Sequence, residues 1–329
     1  MNENKRRAII IDTDPGVDDA ASLFWVLTNP QFDIKAITIA NGNVSLDQCA
    51  INALKILEAA GQSHIPVYIG APDPLLRPTV DAAWVHGNDG LGDAGFPTPK
   101  VLATPGYAPA EMARIAAECG DITILALAPL TNVALAVRLD PDFKKHVKEI
   151  LFMGGAVRVP GNESPAASFN PAVDPDAARI VYRSGIPVVQ LGLDVCDKVR
   201  EMPEDFEKLA AAHTPVTDFI LRMLAFIRSK ARRVYTDESG QVTGVDAVQD
   251  SAGVGLNDLT ATAYLIEPGW FKTRALYIDI DTAGLCPGQT VADFRGMWGK
   301  QPNALWAYDV DARALVDRWV ADICAYRPV

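Results

Sequence analysis

Asp12, Asp14, Asp18 and Asp19 fall within eight residues, directly after the apolar run Ala8-Ile9-Ile10-Ile11 and around Pro15-Gly16. Like charges this close repel unless a cation or a hydrogen-bonding ligand lies among them. A buried strand gains no stability from such acids, and a helix interior does not accept Pro and Gly between them. The chemistry that suits the group is a turn binding a hard, oxygen-preferring metal ion or a polyol. Asp12 alone reads equally well as a turn cap; Asp14, Asp18 and Asp19 together do not.

Other arrangements of these residue types fail. An EF-hand needs Gly at its sixth position and Glu at its twelfth, and counting from Asp12 these are Val17 and Leu23. No GxxxxGK[ST] loop occurs, and no GxGxxG follows the first apolar run. His64, His86, His146 and His213 are scattered, and no Cys/His pair has zinc-ligand spacing.

The acids need elements to position them. Short β-branched runs predict strands at Ala8–Asp12, Ile34–Ala40, Pro66–Ile69, Ile122–Leu127, Ile150–Met153, Val188–Leu193 and Ala275–Ile280. Between and after them, helices are expected at Val17–Leu27, Leu46–Ala60, Pro109–Cys119, Leu130–Leu139, Pro175–Ser184, Pro203–Ala212, Pro215–Lys230, Asp258–Ile266 and Asp309–Ala325. This alternation implies an α/β fold: a Rossmann-like, open, mostly parallel sheet flanked by helices. No linker or repeat divides the chain, so residues 1–329 read as one domain. Gly70–Ala108 is too long for a bare connector and reads as a functional loop, and 236–256 as a flexible loop or lid.

In open α/β sheets a ligand sits beyond the carboxyl ends of the strands. Polar residues recur at those ends: Asn41 and Asn43, then Asn132, then Asn162 and Asn170 after Met153-Gly154-Gly155, and late in the chain Asn257-Asp258. Asn43 and Asn170 read also as turn residues, and Asp258 as the N-cap of the helix it precedes.

Acids exceed bases by 41 to 30, for a formal charge of −11, which argues against nucleic acid or an anionic membrane as partner. No apolar run is long enough for a signal-peptide core or a membrane span. Cys49, Cys119, Cys196, Cys286 and Cys324 are widely spaced without a CxxC pair, which predicts reduced thiols and a cytoplasmic protein.

DTDPGVDDA at 12–20 resembles the signature of the inosine-uridine nucleoside hydrolases, calcium-dependent N-ribosidases on an α/β sheet. The similarity continues through NGN at 41–43, HGNDGLG at 86–92, LAPLTNVALA at 127–136, MGG at 153–155, GN at 161–162, FNPAVDPDAA at 169–178, GLDV at 192–195 and NDLTATAYLIEP at 257–268. It implies hydrolysis of a ribonucleoside to base and ribose by an enzyme that assembles as a dimer or tetramer. It also implies a calcium ion held by Asp14, Asp19, the Leu127 carbonyl and Asp258. Asp14 would take a proton from the attacking water, whose acidity the cation raises. Asp18 would bind the 2′-hydroxyl and Asp258 would lie near the 3′-hydroxyl. Asn43, Asn162 and Asn170 would hold the rest of the sugar, Asn170 also favouring the charge of an oxocarbenium-like transition state.

Two positions depart from the family. The His that often precedes the late Asp is Asn257 here, and an amide has no titratable proton near neutral pH. The Glu often found two residues before the sugar-binding Asn is Ser168, which removes a charged contact to the ribose, at its 5′ end. For the departing base, three alternatives stand: stacking on Trp84, a proton from His86, or a riboside with a better leaving group. Trp84 reads also as a loop-anchoring core residue and His86 as a structural hydrogen-bonding group. Two rivals to the hydrolase are a phosphatase using Asp12-Thr13-Asp14 as its nucleophile loop and a nucleoside or ribose sensor without catalysis.

Overall fold

The computed structural model describes residues 6–328 apart from 231, 237–241 and 248–252, and the side chains of 229–252 are outside the description. The strands are β1 (Arg7–Thr13), β2 (Phe32–Ile39), β3 (Val67–Ile69), β4 (Ile122–Ala126), β5 (Val147–Met153), β6 (Val188–Leu191), β7 (Arg232–Thr236), β8 (Val242–Ala247), β9 (Phe271–Leu276), β10 (Ile278–Ile280), β11 (Thr290–Ala292) and β12 (Ala304–Val310). The helices are α1 (Val17–Thr28), α2 (Leu46–Ala59), α3 (Ala83–His86), α4 (Ala108–Cys119), α5 (Thr131–Leu139), α6 (Phe143–His146), α7 (Phe169–Val173), α8 (Pro175–Tyr182), α9 (Leu193–Cys196), α10 (Pro203–Ala212), α11 (Pro215–Lys230), α12 (Leu259–Ile266) and α13 (Ala312–Ala325).

Ile9, Ile10 and Ile11 show how the sheet is built. All three are fully buried, with Ile9 and Ile11 in one apolar cluster and Ile10 in another. Successive side chains of a strand point to opposite faces, so a continuous apolar run marks a strand covered on both sides. Leu125 against Ile124, and Leu151 against Ile150, divide between the same two clusters. The central sheet has eight strands in the order β3-β2-β1-β4-β5-β6-β12-β9, parallel except where β9 runs antiparallel to β12. The chain leaves β1 toward β2 on one side and returns to β4 on the other, which makes the β1–β4 boundary a topological switch point. A crevice opens there beyond the strand ends.

Several expectations change. Ala275–Ile280 is two strands: β9 joins the main sheet, while β10 pairs with β11 in a ribbon of its own. The Val188–Leu193 strand stops at Leu191, because Gly192 turns the chain into α9. The helix expected from Asp309 begins at Ala312, where Asp311 accepts the Ala314 N–H, and Asp309 and Val310 end β12. β12 itself was not anticipated, although its start alternates buried Ala304, exposed Leu305 and buried Trp306. Part of the segment expected as a loop or lid, 236–256, is strand: β8 pairs antiparallel with β7, while 237–241 and 248–252 lie outside the described residues. Among the described residues no helix is long and apolar enough to cross a membrane.

Glu201 is a buried acid outside the site. Its backbone bridges that of Val254 in both directions, and among the described residues neither carboxyl oxygen has a hydrogen-bond partner. Burial pushes its pKa from 4.5 up to about 8. A folded-state value above the unfolded one means stability is greatest below pH 4.5 and falls as pH rises toward 8, by at most about 1.4 kcal/mol per pH unit for one group. Glu201→Gln is therefore expected to flatten the decline of Tm across that interval. Thermal melts of both proteins at several pH values check it, and parallel declines would sink it.

Candidate active site

α1 starts at Val17, immediately beyond β1, so Asp18 and Asp19 sit in its first turn, where the helix dipole favours negative charge. Asp19 reaches back to accept the Gly16 N–H at 3.0 Å and also accepts Thr13 Oγ1 at 2.5 Å. Asn43, from the loop after β2, donates its side-chain amide to Asp19 Oδ2 at 2.9 Å and to the Asp14 carbonyl at 3.1 Å. Its backbone N–H donates to Asp14 Oδ2 at 2.9 Å. That approach requires Gly42, since a Cβ there would stand 1.8 Å from the Asp14 carboxylate.

Asp258 completes the acidic group. Although it precedes α12, its side chain caps nothing, so the local N-cap reading does not hold. One oxygen from each of Asp18, Asp19 and Asp258 lies within 4.8 Å of the others. Asp14 stands alongside, close enough to repel both Asp19 and Asp258. Burial is the largest cause that raises all four carboxyls, and mutual repulsion adds to it for Asp14, Asp19 and Asp258. Asp18 is pushed up to about 6, and among the described residues its buried Oδ1 has no hydrogen-bond partner. Three buried carboxylates with the partly buried Asp18, an unpartnered oxygen and no thiolate or imidazole in the triad form an oxygen-only donor set. It fits a hard divalent cation and not zinc.

Asn170, in α7, donates its amide nitrogen to the carbonyls of Leu127 at 2.5 Å and Met153 at 2.9 Å. Both N–H donors are thereby used, and Oδ1 is the end left for a ligand. The Leu127 carbonyl keeps a second lone pair. Asn162 Oδ1 accepts the Phe169 N–H at 3.0 Å. Ser168 is buried and its Oγ accepts the Gly155 N–H at 2.5 Å, so it braces the backbone.

A cavity of about 180 Å³ opens over the acids and brings together Asp18, Asn43, Trp84, His86, Leu127, Asn162, Ser168, Asn170, Asn257 and Asp258. Asp14 and Asp19 lie beneath this surface, both essentially inaccessible. Trp84 is 72 % exposed, so it does not anchor the core. His86 Nδ1 accepts the Val17 N–H at 3.2 Å and lies 3.8 Å from Asp18 Oδ1. Burial lowers its pKa to about 4, so the ring is neutral with its proton on Nε2.

The same wall contains Ala82, Val85, Met153, Glu163, Phe169, Ile227 and Gly255, which sequence reasoning did not single out as site residues. Most are apolar residues of ordinary type, and Ile227 on α11 carries the helical spacing of any core position. Ala82, Trp84, Val85 and His86 come from the Gly70–Ala108 segment, so that long connector does reach the cavity. Asp12, Asn41 and Asn132 have other work. Asp12 accepts Thr38 Oγ1 at 2.6 Å and Asn132 Nδ2 at 2.9 Å, while Asn132 also takes the Ala71 N–H and Asn41 donates to the Ala71 carbonyl. These bonds tie β1, β2 and the loop after β3 together under the site. A wider groove of about 900 Å³ along α5 and α8 lies away from the acidic group.

A family model for the inosine-uridine preferring nucleoside hydrolases matches residues 9–317. A pyrimidine-specific ribonucleoside hydrolase of Citrobacter koseri is 37% identical over 311 residues, covering 94% of this chain and 95% of its own. A similar protein from Salmonella schwarzengrund, of the same description, is also 37% identical over 94% of this chain and 96% of its own. Among solved structures, a plant nucleoside hydrolase superposes with a TM-score of 0.89 at 29% identity, over 97% of this chain and 99% of its own. A purine-preferring ribonucleoside hydrolase from Gardnerella vaginalis gives 0.87 at 26% identity, over 97% and 98%.

Proposed function

Because the chain belongs to the inosine-uridine preferring nucleoside hydrolase family, and so is a hydrolase of N-glycosidic bonds, we propose that it cleaves ribonucleosides to base and ribose at the acidic cavity with calcium as its cation. The observation that carries this reading is the convergence of Asp18, Asp19 and Asp258 beneath the cavity with Asp14 beside them. Asp14, Asp19, Asp258 and the Leu127 carbonyl would hold the ion. When bound, calcium supplies the charge that lets these carboxylates stay ionised together, and it raises the acidity of water.

The chain's own groups divide the remaining work. The Asp14 carboxylate, anchored through Oδ2 by the Asn43 N–H, takes the proton of the attacking water. Asp18 offers its unpartnered Oδ1 to the 2′-hydroxyl, and Asp258 lies at the 3′-hydroxyl. Asn170 Oδ1 turns the negative end of its amide dipole toward the ring as positive charge develops there. Asn162 is fixed by its bond to Phe169 and borders the sugar.

Among the described residues, neither Asn257 nor His86 can serve the departing base as a titrating acid. Asn257 has no proton to transfer, and His86, neutral with Nδ1 occupied, can only donate a hydrogen bond from Nε2. Trp84 and Phe169 line the cavity as surfaces on which a base can stack. This favours a second reading, a modified or non-standard riboside whose base leaves without protonation. Free ribose released from inosine, uridine and p-nitrophenyl riboside, each with calcium, tests both readings. Release from the natural nucleosides supports the first, release from the nitrophenyl riboside alone supports the second, and none from any overturns both.

Asn257→His is expected to raise kcat/KM on inosine by about tenfold or more while leaving the nitrophenyl riboside nearly unchanged, since general acid catalysis is worth about 10²–10⁴-fold where the leaving group needs it. An equal effect on both substrates would mean that the substitution acts on sugar binding. The proposal extends to a cytoplasmic enzyme with its five cysteines reduced, assembled as a dimer or tetramer from one-domain subunits. Light scattering of the purified chain measures the assembly.

A further inference from the structure

The turn 161–167 carries an acid that the proposed mechanism does not use. Gly161 N–H donates to the Pro165 carbonyl, and the N–H groups of Glu163 and Ser164 both donate to the Ala167 carbonyl. The turn is so tight that a Cβ on Gly161 would meet the Ala167 carbonyl at 2.2 Å and that of Ser164 at 2.3 Å. Asn162 pins it to α7. Glu163 stands at its tip, exposed, lining the same cavity as Asn162 and Asn170. Among the described residues no hydrogen bond or ion pair engages its carboxylate.

Ser168 lines the same cavity wall, but its hydroxyl is committed to Gly155 and its side chain is buried. The cavity wall formed by 162–170 thus lacks an acid at 168 and carries one five residues earlier, at 163. With the ribose diol at Asp18 and Asp258 and the base departing beside Asn257, the end of the sugar left for this wall is C5′. Resting on the ribonucleoside reading above, we propose that Glu163 is the specificity residue for the 5′ end of the substrate. It accepts the 5′-hydroxyl and repels a 5′-phosphate. The contact is a charge-assisted hydrogen bond from a neutral hydroxyl, and a phosphate in that place would set like charges together.

The test compares wild type with Glu163→Gln and Glu163→Ala on three substrates: a riboside hydrolysed by the wild type, its 5′-deoxy analogue and its 5′-monophosphate. Glu163 is exposed, so both variants are expected to fold, with unchanged Tm as the control. On the riboside, KM is expected to rise about tenfold in both variants, the scale of one hydrogen bond to a charged group. On the 5′-deoxy analogue, which lacks the bonding group, the same variants should match wild type. The ratio of kcat/KM for the monophosphate to that for the riboside should increase in both. An equal loss on riboside and 5′-deoxyriboside, or no loss on either, overturns the role of Glu163 and leaves the hydrolase reading intact. A wild type that hydrolyses no riboside overturns that reading and this role with it.

Discussion

Asp14→Ala is expected to lower kcat by at least about 10³-fold at saturating riboside, because it removes the proton acceptor and a cation ligand together. The loss should fall on kcat more than on KM, since the diol contacts of Asp18 and Asp258 remain. Asp14→Asn separates the two roles from packing, because its amide oxygen can still accept the Asn43 N–H that Asp14 Oδ2 now accepts. It should be nearly as inactive as the alanine variant. Neither substitution should unfold the protein: burial and repulsion from Asp19 hold the Asp14 carboxyl well above its ordinary range, so its charge opposes folding when no cation is bound. Steady-state kinetics with thermal melts of the calcium-free proteins test this. Retained turnover in either variant would remove Asp14 from the role of base.

Chelation is expected to abolish riboside hydrolysis and to lower Tm, with both restored by calcium. A cation that binds only the folded protein stabilises it by about 2.7 kcal/mol at a hundred times its Kd, a shift of several degrees for a chain of this size. Asp258→Asn should lose both responses, since it replaces one carboxylate oxygen of the Asp18–Asp19–Asp258 group with an amide nitrogen and removes the negative charge that Asp258 sets against Asp19. Its calcium-free Tm should be no lower than that of wild type. A wild-type Tm indifferent to calcium and chelator, with activity likewise unaffected, would sink the calcium assignment while leaving the N-glycosidic hydrolase in place. Magnesium in parallel distinguishes calcium from a smaller ion that holds its waters more tightly.

Much of the sheet was legible because a parallel strand buried on both faces has an unmistakable composition. Ile9-Ile10-Ile11 feed both apolar clusters, and the acids follow where the apolar run stops. β12 was hidden because its partners are remote: β6 on one side and antiparallel β9 on the other. Its own alternation is shared by many surface segments, and only pairing makes it a strand. The junction of β9 and β10 was hidden for a related reason, since the six apolar-rich residues Ala275–Ile280 do not say which of two sheets each half joins.

By itself the sequence determined the chemistry of the acidic turn. Four carboxylates around Pro15-Gly16 repel whatever the fold, and that conflict is local, so it is visible in one dimension. What it left open were choices between local and distant partners. Asp258 has the position of a helix cap, yet its side chain makes no cap bond and closes on Asp18 and Asp19. Asp12 looks like a fifth part of the site and instead stitches β1 to Asn132 and Thr38. Trp84 and His86 were ambiguous in the same way, until exposure of one and the Val17 N–H on the other separated a cavity wall from a neutral, anchored imidazole. Glu163 and Ile227 had no distinguishing type or spacing at all. Tertiary structure decided these cases because a side chain's role follows from which groups the folded backbone brings within a few ångströms, and sequence distance does not measure that.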